Sequence, residues 1–191
     1  MKKILTLFLL AICSSFSTKL AAQLSFLTSP DYGQVFDVTY DPTKQDVLYA
    51  NTVTNHIVKS SDNGKNWEVL YSFPLDISLG TIKDLRWTQD QKYLSFILTA
   101  EGTVHNQVII IDPANGNVIK RIDSPNGNQS GNLIMSYSVT GNDYENILLH
   151  TTYMYNFGLV TDVFYTKNGG DSWQKVYTSS ANDGVHINNV A

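Results

Sequence analysis

The sequence is poorest in cysteine. Among its 191 residues there is one, Cys13, close to the amino terminus. If the segment that contains it is removed, as argued below, the remaining chain has no thiol at all. Such a chain forms no disulfide, has no thiolate nucleophile and offers no cysteine ligand to a metal. Its stability must then come from its core alone.

Charged residues are also scarce, and the basic ones are the scarcer kind. Charged side chains make up 16% of the chain, and three of the 13 basic residues lie in the first 22 positions, where there is no acid. Residues 23–191 therefore carry 10 basic and 17 acidic side chains, a net charge of −7. A chain this acidic lacks the positive surface that phosphate backbones attract. The sequence thus predicts no nucleic-acid partner.

No apolar run is long enough to span a membrane. The longest, residues 4–13, is about half the length of a spanning helix. A lysine pair precedes it and a small-residue stretch ends at Ala22, which together are typical of a secretory signal peptide cleaved after that alanine. Ile12 stands where a lipoprotein signal needs a small residue, which argues against lipidation of Cys13. We expect a secreted, periplasmic or cell-surface protein with no membrane span in the mature chain.

Helical periodicity is absent from the rest of the chain. Residues 33–191 alternate short β-rich runs with Gly, Asn, Asp and Pro, and the order of the runs recurs. The first run of each copy begins at Val35, Ile82, Ile134 and Val185, at intervals of about 50 residues. Four-stranded units with a period of about 40–50 residues are typical of β-propeller blades. A β-sandwich is the alternative.

The sequence therefore predicts an all-β propeller domain over residues 23–191. It has three complete four-stranded blades and the first strand of a fourth. Closed propellers have about four to eight blades, so we expect this chain to be the amino-terminal fragment of a longer protein. The predicted strands are 35–40, 46–50, 56–60, 67–71, 82–87, 93–98, 107–112, 118–122, 134–139, 147–150, 161–166, 173–177 and 185–190.

Two turns between third and fourth strands share one pattern. They read Ser60-Ser61-Asp62-Asn63-Gly64-Lys65-Asn66-Trp67 and Thr166-Lys167-Asn168-Gly169-Gly170-Asp171-Ser172-Trp173. Both resemble the Asp-box, or BNR repeat, of the sialidase and sortilin-like superfamily, with the pattern Ser/Thr-x-Asp/Asn-x-Gly-x-x-Trp. The matching positions are Ser60, Asp62, Gly64, Trp67, Thr166, Asn168, Gly170 and Trp173. The middle repeat has a different turn, residues 112–116.

The chemistry of the pattern is structural. A short Asp or Asn side chain accepts hydrogen bonds from backbone N–H groups ahead of it, glycine permits positive φ, and tryptophan supplies a large apolar surface. The resemblance implies an exported bacterial propeller whose boxes lie at the blade periphery, away from the ligand face. Sialidases grip their substrate with three arginines, and this chain has only Arg86 and Arg121. The resemblance therefore does not extend to the sialidase site.

Candidate catalytic groups are few. Asp37 and Asp84 hold matching positions in the first strands of successive blades, and a glycoside hydrolase needs two carboxylates about 5–10 Å apart. The alternative is that both are turn residues or simply line the central channel. The four histidines stand far apart in the sequence, and no phosphate-binding glycine loop is present. We predict no metal, no cofactor and no assigned catalytic residue.

Aromatic residues cluster in the third blade. The segment 153–158 is an expected loop that contains Tyr153, Tyr155 and Phe157, and such side chains suit sugar stacking or a protein partner. The sequence thus predicts an exported, non-catalytic propeller that binds an extracellular or periplasmic glycan or protein through loops on one face. The alternative is an Asp-box glycoside hydrolase that uses Asp37 or Asp84 and has further catalytic residues beyond position 191.

Overall fold

The regular structure of the chain is entirely β-strand wherever the computed structural model describes it. The predicted signal segment, with Cys13, and the predicted strand 185–190 lie outside the described residues. Within the described residues, no helix long and apolar enough to cross a membrane is present. The structure describes residues 28–29, 32–73, 80–100, 106–126, 132–141, 144–156 and 158–179.

The strands form three antiparallel sheets, each following the order of the chain. Blade 1 is made of β2 (Gly33–Tyr40), β3 (Leu48–Thr52), β4 (His56–Ser60) and β5 (Glu68–Ser72), and β1 (Thr28–Ser29) adds a short fifth strand beside β2. Blade 2 is made of β6 (Gly80–Trp87), β7 (Leu94–Ala100), β8 (Asn106–Ile111) and β9 (Val118–Asp123). Blade 3 is made of β10 (Leu133–Thr140), β11 (Asn146–Tyr155), β12 (Gly158–Thr166) and β13 (Gln174–Thr178).

This architecture confirms the predicted all-β propeller with four-stranded blades. Every predicted strand before residue 178 overlaps an observed strand. The prediction of a loop at residues 153–158 is wrong for residues 153–155, because Tyr153 pairs with Val160 and Tyr155 pairs with Gly158 in the closed end of the β11–β12 hairpin. The strand was cut short in the prediction because Thr151 and Thr152 interrupt its apolar run, although threonine is itself a good strand residue.

Blade 2 lies between the other two and buries both of its faces. Phe96 and Ile109 belong to a buried cluster shared with blade 1, whereas Ile97 and Ile110 belong to one shared with blade 3. All four side chains are fully buried. This double burial explains why β7 and β8 are continuous apolar runs rather than alternating ones. The hydrophobic core of the described chain therefore lies between the blades.

Asparagine side chains at the start of third strands join each blade to the next. Asn55 donates from Nδ2 to the Gly80 carbonyl at 2.8 Å and accepts the Ile82 N–H through Oδ1 at 3.1 Å. Asn106 makes the same pair of bonds to the first strand of blade 3, both at 3.0 Å. We call Asn55 and Asn106 the asparagine bridges. They align one blade against the next, as an extra strand pairing would.

The contacts of Asn106 predict how much this bridge stabilises the chain. Replacing Asn106 by alanine removes the donor to the Asn132 carbonyl and leaves the buried Ile134 N–H without its acceptor. Because an unpaired buried polar group costs about 1–3 kcal/mol, the free energy of unfolding should fall by about that amount. Chemical denaturation of Asn106→Ala measures it. Asn117→Ala, an exposed amide of the β8–β9 turn, is the control. If both variants were as stable as the wild type, the hydrogen bonds of Asn106 would not stabilise the contact between blades.

Candidate functional site

The connections between strands divide between two faces of the propeller. In an antiparallel meander, successive connections alternate between the two ends of the sheet. One end of the blades carries the connections that contain both turn motifs, residues 60–67 and 166–173, and we call it the motif face. The other end carries the β3–β4 and β11–β12 connections, and we call it the hairpin face.

The first turn motif is closed by its own side chains. The Ser60 hydroxyl donates to Asp62 Oδ1 at 2.8 Å and accepts the Gly64 N–H at 2.8 Å. Asp62 Oδ1 also accepts the backbone N–H groups of Lys65 at 3.1 Å and Asn66 at 2.9 Å. Asn63 and Gly64 have φ values of 59° and 83°, so the turn contains two successive left-handed residues. The carboxylate thus organises the turn.

These hydrogen bonds also set the ionisation of Asp62. Hydrogen bonds from the backbone and side-chain N–H groups of Asn66, together with one from the Ser60 hydroxyl, lower the pKa of Asp62 to about 2. Asn66 Nδ2 lies 2.6 Å from Asp62 Oδ2, so both carboxylate oxygens have partners. A carboxylate so engaged with its own turn is poorly suited to proton transfer.

The second turn motif repeats the arrangement with an amide in place of the carboxylate. The Thr166 hydroxyl donates to Asn168 Oδ1 at 2.6 Å, and the same oxygen accepts the Ser172 N–H at 3.0 Å. Gly169 and Gly170 have φ values of 70° and 101°. A Cβ on Gly169 would lie 2.0 Å from Lys120 Nζ of blade 2, so this turn packs closely against the neighbouring blade. The side chains of Thr166 and Asn168 thus close the turn, as those of Ser60 and Asp62 close the first one.

Asp37 and Asp84 lie in β-bulges of neighbouring first strands. Both have positive φ, 42° and 61°, a conformation that aspartate tolerates better than most residues. The Asp84 N–H donates to Asp37 Oδ2 at 2.8 Å, so the predicted match in position is a direct contact between blades. The sequence correctly paired these positions but gave no sign of the bulges.

The Asp84 carboxylate is occupied by a guanidinium. Both of its oxygens accept hydrogen bonds from Arg86, with Nε at 3.0 Å from Oδ1. Arg86 also donates from Nη1 to the Tyr137 carbonyl at 3.1 Å and lies 4.6 Å from the centre of that ring. This ion pair therefore links blades 2 and 3. The link was missed because nothing in the sequence pairs residues 51 positions apart, although both lie in first strands.

On the hairpin face, the β11–β12 hairpin extends further than the β3–β4 hairpin does. Thr161 is equivalent to Asn55 and Asn106, because all three carbonyls accept an N–H from the residue after the fourth strand. Blade 1 turns at this level, whereas blade 3 continues through residues 153–160. Met154 and Tyr155 are 57% and 59% exposed. Of the predicted ligand-binding residues, Tyr153 and Tyr155 lie on this hairpin, Asp37 and Asp84 lie in the first-strand bulges, and Phe157 lies outside the described residues.

A buried carboxylate near the base of this hairpin was missed by the sequence. Asp162 is fully buried and accepts hydrogen bonds from Lys175 Nζ at 2.7 Å and from the Thr178 hydroxyl. The amide nitrogen of Asn126, in the connection from blade 2 to blade 3, lies 3.4 Å from Asp162 Oδ2. A single acid inside the otherwise uncharged β12 sequence is the signal that could have marked it. Its partners come from its own blade and from the connection that precedes it, so the Asp162–Lys175 ion pair joins these segments at the base of the hairpin.

The described residues give little support to a metal site or to catalysis by a histidine. Among them, no group of three or more His, Cys, Asp or Glu side chains could hold a metal ion. His56 Nδ1 lies 3.0 Å from the Ser72 hydroxyl. Burial, with the charge of Lys83, lowers the pKa of His150, whose Nδ1 lies 3.3 Å from the Ser136 hydroxyl. The other two histidines lie outside the described residues.

Comparison with known proteins gives similarity at the level of fold. The GH74 enzyme of Niastella koreensis superposes with a TM-score of 0.52 and 17% identity, over 75% of this chain and 22% of that one. The GH74 xyloglucanase of Xanthomonas campestris gives 0.49 and 16%, over 73% and 21%. YCF48 from Cyanidioschyzon merolae gives 0.47 and 13%, over 75% and 40%. This chain thus spans about a fifth of the two GH74 enzymes. Neither the family models nor the curated proteins gave a match.

The first turn motif predicts a strong glycine requirement. Gly64 has a φ of 83°, which is costly for a β-branched residue. We expect Gly64→Val to lower the free energy of unfolding by about 1–3 kcal/mol, measured by denaturant titration. Lys65→Val, at the exposed next position, is the control and should change it far less. An unchanged stability of Gly64→Val would show that the turn does not need this conformation.

The lowered pKa of Asp62 predicts an acid dependence. A carboxyl with a depressed folded-state pKa stabilises the fold above its ordinary value of 3.8, and this contribution is lost as the pH falls towards 2. Asp62→Asn should fold at neutral pH, because asparagine already occupies the equivalent position, Asn168, in the second motif. The stability difference between wild type and variant should shrink from pH 5 to pH 2 in thermal melts. A difference that is constant with pH would refute the prediction.

Proposed function

We propose that this chain is part of an exported, non-catalytic propeller that binds a glycan or a protein through one face. Of these two ligand classes the hairpin favours a protein. The hairpin face is the binding face in this proposal, and the β11–β12 hairpin is its main contact. The observation that carries the proposal is the exposure of large apolar side chains on a rigid hairpin that extends past the blade. Exposed apolar groups gathered at one place are typical of interaction sites.

The hairpin presents apolar side chains on both of its sides. Met154 and Leu159 are directly paired and therefore point to the same side, and they are 57% and 41% exposed. Tyr155, the neighbour of Met154, points to the opposite side. Continuous pairing from Ile147 to Tyr155 with β12 keeps this end ordered. A preorganised hairpin binds with a small loss of conformational entropy.

The composition of the hairpin supports a protein partner over a glycan. Sugar sites combine an aromatic platform with several polar groups, whereas Met154 and Leu159 offer only aliphatic surface. Methionine and tyrosine are both enriched at protein interfaces. The acidic net charge of residues 23–191 and the predicted signal segment support a partner outside the cytoplasm that is neutral or basic.

The glycoside hydrolase alternative is weakened by the contacts of its candidate acids. Asp84 is held by Arg86, and Asp37 accepts the Asp84 N–H. Both residues are thereby used to fasten first strands together. A retaining or inverting hydrolase needs one carboxylic acid that can give up a proton and a second carboxylate placed across the bond. The described contacts of this pair are those of a structural element.

The proposal predicts that the hairpin can be disabled without unfolding the chain. In the double variant Met154→Ser/Tyr155→Ser, two exposed apolar side chains become polar. Since interface hot spots contribute more than about 1 kcal/mol each, binding should weaken at least about tenfold while the melting temperature holds. The measurement is quantitative capture of envelope and secreted proteins of the source organism on the immobilised chain, alongside a glycan array.

The control for this experiment is Ile119→Ser. Ile119 is also exposed, at 45%, but it lies in the outer strand β9, away from the hairpin. A protein that binds wild type and control but not the double variant supports the proposal. Array signals lost only in the double variant would move the assignment to a glycan. Equal binding by all three chains would refute the hairpin as the contact.

A further inference from the structure

A histidine lies inside blade 3, in the strand that continues into the β11–β12 hairpin. His150 is 1% exposed and stands near the middle of β11, in the part of the strand that precedes Met154. It pairs with Ser136 of β10 on one side and with Val163 of β12 on the other. An ionisable side chain therefore lies among the three strands that support the hairpin.

The same position in blade 2 holds an apolar residue. There, Ile97 pairs with Val108 of the third strand and is fully buried. In blade 3, His150 pairs with Val163, which is equivalent to Val108 because each valine lies two residues after the matching position of its third strand. The fold therefore needs no ionisable group here, and the histidine of blade 3 calls for another explanation.

The surroundings of His150 suit only the neutral ring. Its Nδ1 lies 3.3 Å from the Ser136 hydroxyl, whereas its buried Nε2 has no hydrogen-bond partner among the described residues. A neutral ring leaves one nitrogen unpaired, but a protonated ring carries a second N–H and a positive charge, both of which must be buried. Protonation of His150 therefore costs more inside the folded chain than in water.

The charged groups near the ring do not offset this cost. Burial, with the positive charge of Lys83 in β6, lowers the pKa of His150. Asp162, the acid of β12, directly precedes the strand partner of His150 and so points to the other face of the sheet. On the face that His150 shares, β12 and β13 contribute the phenols Tyr165 and Tyr177 and no carboxylate. β10 contains no charged residue.

The sign of the effect follows from the lowered pKa. Because the pKa of His150 in the folded chain lies below its ordinary value of 6.5, the unfolded chain binds the proton more tightly than the folded chain does. The contribution of the neutral ring to stability is therefore complete above pH 6.5. It is lost progressively as the pH falls below 6.5 towards the pKa of the folded chain.

Protonation of His150 weakens the strand pairing that the hairpin continues. A charged ring can reach water only if β11 separates from a neighbouring strand at this point, and Met154 and Tyr155 follow in the same strand. We propose that His150 is a pH-sensitive element that holds the β11–β12 hairpin in place near neutral pH and releases it in mild acid. Its effect on partner binding rests on the proposed function of the hairpin, whereas its effect on the strands does not.

The test compares wild type with His150→Ile, which places the residue of blade 2 at this position. Denaturant titrations at pH 7.5 and pH 5 give the folding equilibrium constant of each chain. Between these pH values, the constant should fall about tenfold more for wild type than for His150→Ile. The matched control is His56→Gln, since His56 is a partly exposed histidine of β4. This variant should keep the pH dependence of the wild type.

Two further measurements use the wild type and need no partner. In an NMR titration, the His150 ring of the folded chain should take up its proton only below pH 6.5. In hydrogen exchange at pH 5, the amide protection factors of β11 and β12 should fall at least about fivefold relative to those of β7 and β8. The His150→Ile chain should show no such difference between the two blades.

Three results would each overturn the assignment. The first is an equal loss of stability in wild type and His150→Ile between pH 7.5 and pH 5. The second is protonation of the folded His150 ring at or above pH 6.5, and the third is an equal loss of protection in blades 2 and 3. If Met154→Ser/Tyr155→Ser bound at pH 7.5 as wild type does, the proposed hairpin contact would fail, while these three measurements would still decide the role of His150.

Discussion

The burial of both faces of β6–β9 is the interaction on which the described structure depends. A sheet with Phe96 on one side and Ile97 on the other is stable in water only if another sheet covers each side. Blades 1 and 3 do so, and the two buried clusters so formed hold most of the apolar core. Without cysteines in residues 23–191, no covalent link supplements this packing. The packing that stabilises the chain therefore also holds the three blades in their order.

Packing of one blade on the next leaves backbone polar groups where the blades meet, and side chains of the neighbouring blade hydrogen-bond to them. The asparagine bridges pair with the next first strand, Asp37 accepts the Asp84 N–H, and Arg86 reaches Tyr137. These residues look like catalytic candidates when taken singly, because acids and an arginine meet near first strands. Their contacts fasten one blade to the next. Binding surfaces are then expected away from these contacts, as on the extended β11–β12 hairpin.

The strands, their repeat and the position of both turn motifs could be predicted from the sequence, because each depends on local alternation, on turn residues or on a short motif. The β11–β12 hairpin was underestimated, since Thr151 and Thr152 break the apolar pattern without breaking the strand. The asparagine bridges escaped because their partners lie 25–28 residues away in another sheet.

The central proposal is that this chain works by binding and that its first-strand acids are structural. The most direct test is hydrolysis of a polysaccharide panel by wild type and by Asp84→Asn, which keeps a side chain that tolerates positive φ. We expect neither chain to release reducing ends above the background of a heat-denatured sample. Release by the wild type that Asp84→Asn abolishes, with both chains folded, would contradict the account and make Asp84 a catalytic residue.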